Sequence, residues 1–245
     1  MSELNYASRT APQAPSMAVD AGLRAYMLGI YNKMALGLAV SATIAWTVGS
    51  VPALSSLIFG TPLRYVVMFG PLALLLVAAF AMRRPSPIAA NLLYWSVASL
   101  IGASLGAWVL AARLGTGADF LTIAKAFFIT SAAFGALSLW GYTTRRDLSA
   151  FGTILVMGVV GLVLASLANL FFQSSLLSFA ISVIGVVVFS ALTAFDTQRL
   201  KQEYYVLEGD ARAMAAATSL GALSLYLNFV NLFQFILSIL SPREE

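Results

Sequence analysis

Seven long apolar segments with few charges follow one another along the chain, and they decide what it can fold into. A helix needs about 20 apolar residues to cross the roughly 30 Å hydrocarbon layer of a membrane, because each residue rises ~1.5 Å. The sequence therefore predicts an all-α polytopic membrane protein. The predicted transmembrane domain covers residues 23–241, with spans at about 26–48, 65–82, 89–112, 120–141, 151–172, 176–195 and 220–240.

The composition excludes most soluble proteins and most catalysts. The chain is 60% hydrophobic and 10% charged, so lipid must solvate most of its surface. Cysteine and histidine are absent, which removes disulfides, the commonest metal ligand and the usual general base. The sequence contains no zinc-protease motif and no phosphate-binding Walker loop. We expect no enzymatic activity, no cofactor and no nucleic-acid partner.

The segments outside the predicted spans are short, with two exceptions. Residues 1–22 are small, polar and proline-containing, without the basic and apolar regions of a signal peptide, so we predict a disordered N-terminal tail. Residues 199–219 are predicted to form the only long internal loop. A short C-terminal tail covers residues 242–245.

Basic residues are unevenly divided between the two sides of the predicted bundle. Nine lie in the N-terminal tail or after even-numbered spans, and three lie on the opposite side. Because cytoplasmic loops carry more lysine and arginine, we predict a cytoplasmic N-terminus and an external C-terminus. Two further lysines, Lys33 and Lys125, lie within or near spans. We interpret both as snorkelling toward the nearest membrane surface.

Asp196 is the main candidate for a functional residue, because the other acids lie in tails or polar connections. An ionisable group at the margin of a span usually faces the protein interior and serves an ion or proton path. Alternatively, Asp196 marks the end of its helix and pairs with Arg199, three residues on. In the last span, Asn228 and Asn231 share a face, either as partners of Asp196 or as interhelical hydrogen-bonding groups.

Three motifs resemble the Bax-inhibitor family, also called the lifeguard or transmembrane-Bax-inhibitor-motif family. They are Ala194-Phe195-Asp196-Thr197-Gln198-Arg199-Leu200, the stretch from Gly221 to Phe233, and Gly141-Tyr142-Thr143-Thr144-Arg145-Arg146-Asp147-Leu148. They occur in the family's order on seven spans. The resemblance indicates a bacterial member located in the inner membrane.

The resemblance implies a bundle in which the last helix is central and wrapped by the other six. It also implies a pH-sensitive calcium leak, gated by two aspartates that share a proton, with an arginine near the second helix as a latch. Asp196 matches the first aspartate and Arg83 is the candidate for the latch. The second position holds Asn228, so the repulsion that raises the pKa of one carboxyl in a pair is missing. We therefore expect weaker pH control.

Two hypotheses follow for the function. The first is a passive cation leak, with calcium as the expected ion, in which Asp196 and Asn228 line the path and Asn231, Arg83 and Arg199 are further candidates. The second is a membrane interaction protein that modulates a membrane-anchored protease or a stress-response partner. In that case residues 1–22 and 199–219 would form the binding surfaces.

Overall fold

The structure is a computed structural model that describes residues 17–82 and 85–241, with side chains described from residue 21 onward. These residues form eight α-helices and one 3-10 turn, Ser149–Phe151. The helices are α1 Met17–Ser50, α2 Pro52–Phe59, α3 Leu63–Ala81, α4 Pro87–Leu114, α5 Phe120–Thr143, α6 Gly152–Phe172, α7 Ser175–Leu207 and α8 Ala211–Leu240. All except the short α2 are long and apolar enough to cross a membrane, which confirms the seven predicted spans.

The first helix begins earlier than the sequence predicted. Residues 17–22 belong to α1, whereas we had assigned them to a disordered tail. The buried residues Leu23 and Tyr26 explain the extension, because they anchor the start of α1 against the rest of the bundle, with the Tyr26 ring 5.7 Å from that of Tyr204. Residues 1–16, which are the rest of the predicted N-terminal tail, and residues 242–245, the predicted C-terminal tail, lie outside the described residues.

The predicted long loop at residues 199–219 is wrong, because both flanking helices continue through it. Helix α7 runs to Leu207 and α8 begins at Ala211. Leu200 and Tyr204, four residues apart, are buried on one face and hold the extension of α7 against the bundle. The turn at 208–210 ends with Asp210, which caps α8 by accepting hydrogen bonds from the amides of residues 212 and 213.

The last helix is the most buried of the seven long ones. Half of its most apolar stretch is buried, compared with 6% for the span that contains α6. It packs mainly against α1, α4, α5 and α7, while α3 packs on α4 and α6 packs on α7. The predicted wrapping by all six other helices is therefore not confirmed. The pairing of α7 with α8 is extensive, and it brings Asp196 next to the polar residues of α8.

Helices α5 and α7 approach closely beside Asp196. Gly141 on α5 is buried, and a β-carbon added there would overlap the carbonyl oxygen of Ala194 on α7. Only glycine permits this separation, because any side chain would collide with backbone rather than with a flexible side chain. The contact fixes the position of α7 two residues before Asp196.

Candidate functional site

Asp196 is a buried carboxylate with three partners. Its side chain is 6% exposed. Oδ2 accepts hydrogen bonds from Asn228 Nδ2 at 2.7 Å and from Ser224 Oγ at 2.6 Å, both on α8. Oδ1 pairs with Arg199 Nη2 at 3.0 Å, which is the one ion pair among the described residues. The two alternatives that the sequence left open therefore occur together: Asp196 pairs with Arg199 and also contacts Asn228.

The local helical geometry accounts for this arrangement. Asp196 and Arg199 lie one turn apart on α7, and Ser224 and Asn228 lie one turn apart on α8, so each pair shares a face. The sequence analysis missed Ser224 as a site residue. Ser224 precedes Asn228 by four residues, and this helical spacing is the sequence signal that places both side chains on one face of α8. Asp196 itself lies about three turns before the end of α7 and is not at a helix terminus.

Arg199 covers the site from the accessible side. Its side chain is 49% exposed, and its Nη2 also donates to Ser224 Oγ at 3.2 Å. It lines a cavity of about 470 Å³ together with residues of α7 and α8, among them Glu203 and Leu220. The guanidinium thus lies between this cavity and the buried carboxylate.

The structure does not bring every predicted residue to the site. Asn231 donates its Nδ2 to the carbonyl oxygen of Leu227 at 2.8 Å, within its own helix, and therefore does not act as a unit with Asn228. Arg83 lies outside the described residues, so nothing is observed of its predicted role as a latch. In the described part of the chain, the arginine that pairs with Asp196 is Arg199.

The groups at the site that can bind a cation are few, and they suit a weakly held cation. One carboxylate, one amide and one hydroxyl surround the position, and no group of three or more His, Cys, Asp or Glu occurs among the described residues. Calcium takes six to eight oxygen ligands, and its affinity rises with the number of charged ones. The arrangement can neutralise a cation at Asp196 Oδ1 without trapping it.

Lys33 forms a second polar centre, and its amine binds side chains of two other helices. Its Nζ donates to Asn91 Oδ1 at 2.6 Å and to Ser219 Oγ at 2.7 Å, and it lies 5.6 Å from the centre of the Tyr94 ring. These partners belong to α4 and α8. Through these two hydrogen bonds Lys33 ties α1 to both helices.

Two acids in the connections between spans serve as structural caps. Hydrogen bonds from Thr122 lower the pKa of Asp119, and hydrogen bonds from Ser149 lower the pKa of Asp147. Asp119 caps α5 by accepting from the backbone amide of Thr122 at 2.7 Å. Both acids are exposed. They stabilise local turns and are not part of the candidate site.

The family profile described as "Inhibitor of apoptosis-promoting Bax1" matches residues 23–245. The chain belongs to the Bax inhibitor family. Among Bax inhibitor relatives, a Caulobacter vibrioides protein is 52% identical over 98% of this chain and 97% of its own length. A Rickettsia prowazekii protein is 40% identical over 99% of this chain and 100% of its own length. The inner membrane protein YbhL of Escherichia coli is 38% identical over 91% of this chain and 94% of its own length.

Membership of the Bax inhibitor family agrees with the motifs that the sequence presents. Two of the three motifs contribute directly to the site: the Asp196 motif lies in α7, and the stretch from Gly221 to Phe233 lies in α8. The third begins at Gly141, where α5 contacts α7. The protein is therefore an integral membrane member of the Bax inhibitor family, and its Asp196 motif packs against the stretch from Gly221 to Phe233.

Proposed function

We propose that this Bax inhibitor family protein is a passive cation leak, with calcium as its ion, and that the path passes Asp196. The observation that carries the proposal is the unequal exposure of one ion pair: the carboxylate belongs to a side chain that is 6% exposed, and the guanidinium that neutralises it belongs to a side chain that is 49% exposed. A buried charge without a partner costs several kcal/mol. A cation that arrives through the cavity beside Arg199 can replace the guanidinium and keep Asp196 neutralised.

The chemistry of the site favours passage over storage. A conducting site must bind an ion well enough to admit it and weakly enough to release it. One carboxylate assisted by the hydroxyl oxygen of Ser224 meets that condition, because the charge count is low. Calcium is a hard cation that prefers oxygen ligands, and oxygens are the only acceptors that Asp196 and Ser224 present. No chemical step is required, and the activity we propose is not enzymatic.

We infer weak pH control for this leak. In the aspartate pair that the family resemblance implies, two carboxylates share one proton and titrate together. Here Asn228 donates a hydrogen bond from Nδ2 to Asp196 at 2.7 Å. The amide N–H of Asn228 donates the hydrogen bond that the shared proton would otherwise form, and the amide does not titrate. A leak governed by Asp196 and Arg199 therefore responds less to pH than one governed by two aspartates.

The proposed location is the bacterial inner membrane, with the N-terminus in the cytoplasm and the C-terminus outside. The relative YbhL of Escherichia coli is an inner membrane protein, which supports the location. The excess of basic residues on one side supports the orientation. In that orientation, the extended end of α7 and the start of α8 lie on the cytoplasmic side, and so does the cavity lined by Arg199.

Reconstitution into liposomes tests the proposed function. Purified protein is inserted into vesicles that contain a calcium-sensitive dye, and calcium is added outside. We expect calcium to enter faster than into protein-free vesicles, without any added energy source. Equal rates in the two preparations, with the protein shown to be inserted, would exclude a leak.

A further inference from the structure

Glu203 is a second acid on the face of α7 that carries the candidate site. It follows Arg199 by four residues, and Asp196 precedes Arg199 by three. Residues at both spacings are neighbours on a helix surface, about 5–6 Å apart between β-carbons. Arg199 therefore stands between two carboxylates. Both carboxylates thus lie within one helical turn of Arg199.

Glu203 has no close partner in the described part of the chain. It is partly buried and lines the same cavity as Arg199, yet no hydrogen bond or ion pair within residues 17–82 and 85–241 involves it. Its one charged neighbour, Arg199, acts on it only at longer range. A partly buried carboxylate without a counter-ion is costly. Glu203 is thus available to receive the guanidinium.

The hydroxyl of Tyr26 supports a second arrangement of these groups. Tyr26 is 6% exposed, and its oxygen has no hydrogen-bond partner among the described residues. It lies close enough to Glu203 and Arg199 to experience both charges. Buried polar atoms are usually paired, so this hydroxyl is a place where a polar group of the cluster can bind. The hydroxyl offers a donor to Glu203 or an acceptor to Arg199 once either moves.

We propose that Glu203 is a positioning residue that takes Arg199 away from Asp196 when a cation enters. The proposal rests on the cation leak proposed above. In the observed arrangement Asp196 is paired and Glu203 is not. After exchange the cation neutralises Asp196 at Oδ1, while Arg199 pairs with Glu203, and Ser224 and Asn228 continue to donate to Oδ2. Glu203 thereby favours cation binding without contacting the ion.

A set of four variants tests this exchange in the liposome assay. Glu203→Gln removes the second partner, so we expect calcium entry to fall at least threefold. Arg199→Gln removes the group that covers Asp196, so entry rises. Adding Glu203→Gln to Arg199→Gln has no further effect, since no guanidinium remains to be received. The matched control is Glu208→Gln, which removes one charge from an exposed position at the end of the same helix and leaves entry unchanged.

Two results would overturn the proposal. Entry through Glu203→Gln equal to that through Glu208→Gln would show that Glu203 is not involved. A loss that persists in the Arg199→Gln background would show that Glu203 acts directly on the ion.

A second measurement separates this proposal from the leak. Calcium bound at Asp196 stabilises the folded protein, so it raises the unfolding temperature in detergent. We expect this rise to be smaller for Glu203→Gln than for Glu208→Gln. If no leak is found but this difference is present, the leak is excluded and the exchange stands. Equal rises in the two variants would contradict the exchange.

Discussion

Arg199 Nη2 and Asp196 Oδ1 lie 3.0 Å apart, yet the two side chains differ widely in exposure, at 49% and 6%. The carboxylate cannot leave the interior, whereas the guanidinium reaches a cavity of about 470 Å³. An ion pair of this kind holds its negative member in place and leaves its positive member free to exchange. That asymmetry is the basis of the proposed cation path.

Replacing Asn228 should create pH dependence. Asn228→Asp places a second carboxylate where an amide now donates to Asp196 at 2.7 Å. Two carboxylates at this separation raise one pKa by repulsion and share a proton near neutrality. The rate of calcium entry should then change more between pH 6 and pH 8 than it does for the unaltered protein.

The matched control is Asn231→Asp, which adds the same charge to α8 at a side chain that bonds to its own helix. A pH response of equal size in both variants would contradict the assignment of Asn228 as the partner of Asp196.

Removing the Lys33 amine should destabilise the bundle. In Lys33→Met, Asn91 and Ser219 each lose a charged hydrogen-bond donor, and a hydrogen bond to a charged group contributes about 1.5–3 kcal/mol. We expect a lower unfolding temperature in detergent. Lys125→Met is the control, because Lys125 is exposed on α5. The interpretation fails if both variants unfold at the temperature of the unaltered protein.

A methyl group at Gly141 should disturb the contact that positions Asp196. The added β-carbon of Gly141→Ala meets the backbone oxygen of Ala194, and overpacking of this kind typically costs about 1–3 kcal/mol. Unfolding temperature and calcium entry should both change. In Gly135→Ala, on the same helix, nothing lies within 4 Å of the added carbon, and higher helix propensity favours folding by up to about 1 kcal/mol. Equal stability of the two variants would argue against the close contact.

The proposed orientation can be tested by chemical labelling, because the chain contains no cysteine. A single cysteine at Glu208 lies between α7 and α8, and one at Thr116 lies between α4 and α5. A membrane-impermeant thiol reagent added outside intact cells should label the variant at Thr116 and not the one at Glu208. The opposite pattern would reverse the orientation.

The spans could be predicted from the sequence because hydropathy reports where a chain can meet lipid. It does not report where a helix ends, and α7 continues for about three turns beyond Asp196 because Leu200 and Tyr204 pack against the bundle. The role of Lys33 could not be predicted for a different reason. Its partners Asn91 and Ser219 are 58 and 186 residues away in the sequence. Only the packing of α1 against α4 and α8 brings these three side chains together.

The contact between Asp196 and Asn228 is one of the alternatives that the sequence leaves open, and the structure contains it. Two polar side chains in neighbouring apolar helices need partners in an environment without water. Ser224 and Glu203 could not be assigned to the site from the sequence, because serine and glutamate near a membrane surface occur in many structural roles. Their relevance depends on which way α7 and α8 face, and that is a property of the folded pair.

The rate of calcium entry into liposomes that contain Asp196→Asn tests the account most directly. The amide preserves the shape of the side chain and can still accept from Asn228 and Ser224, but it cannot neutralise a cation. At equal amounts of inserted protein, we expect entry to fall at least tenfold below that of the unaltered protein. An unchanged rate would show that the ion does not pass Asp196 and would contradict the account.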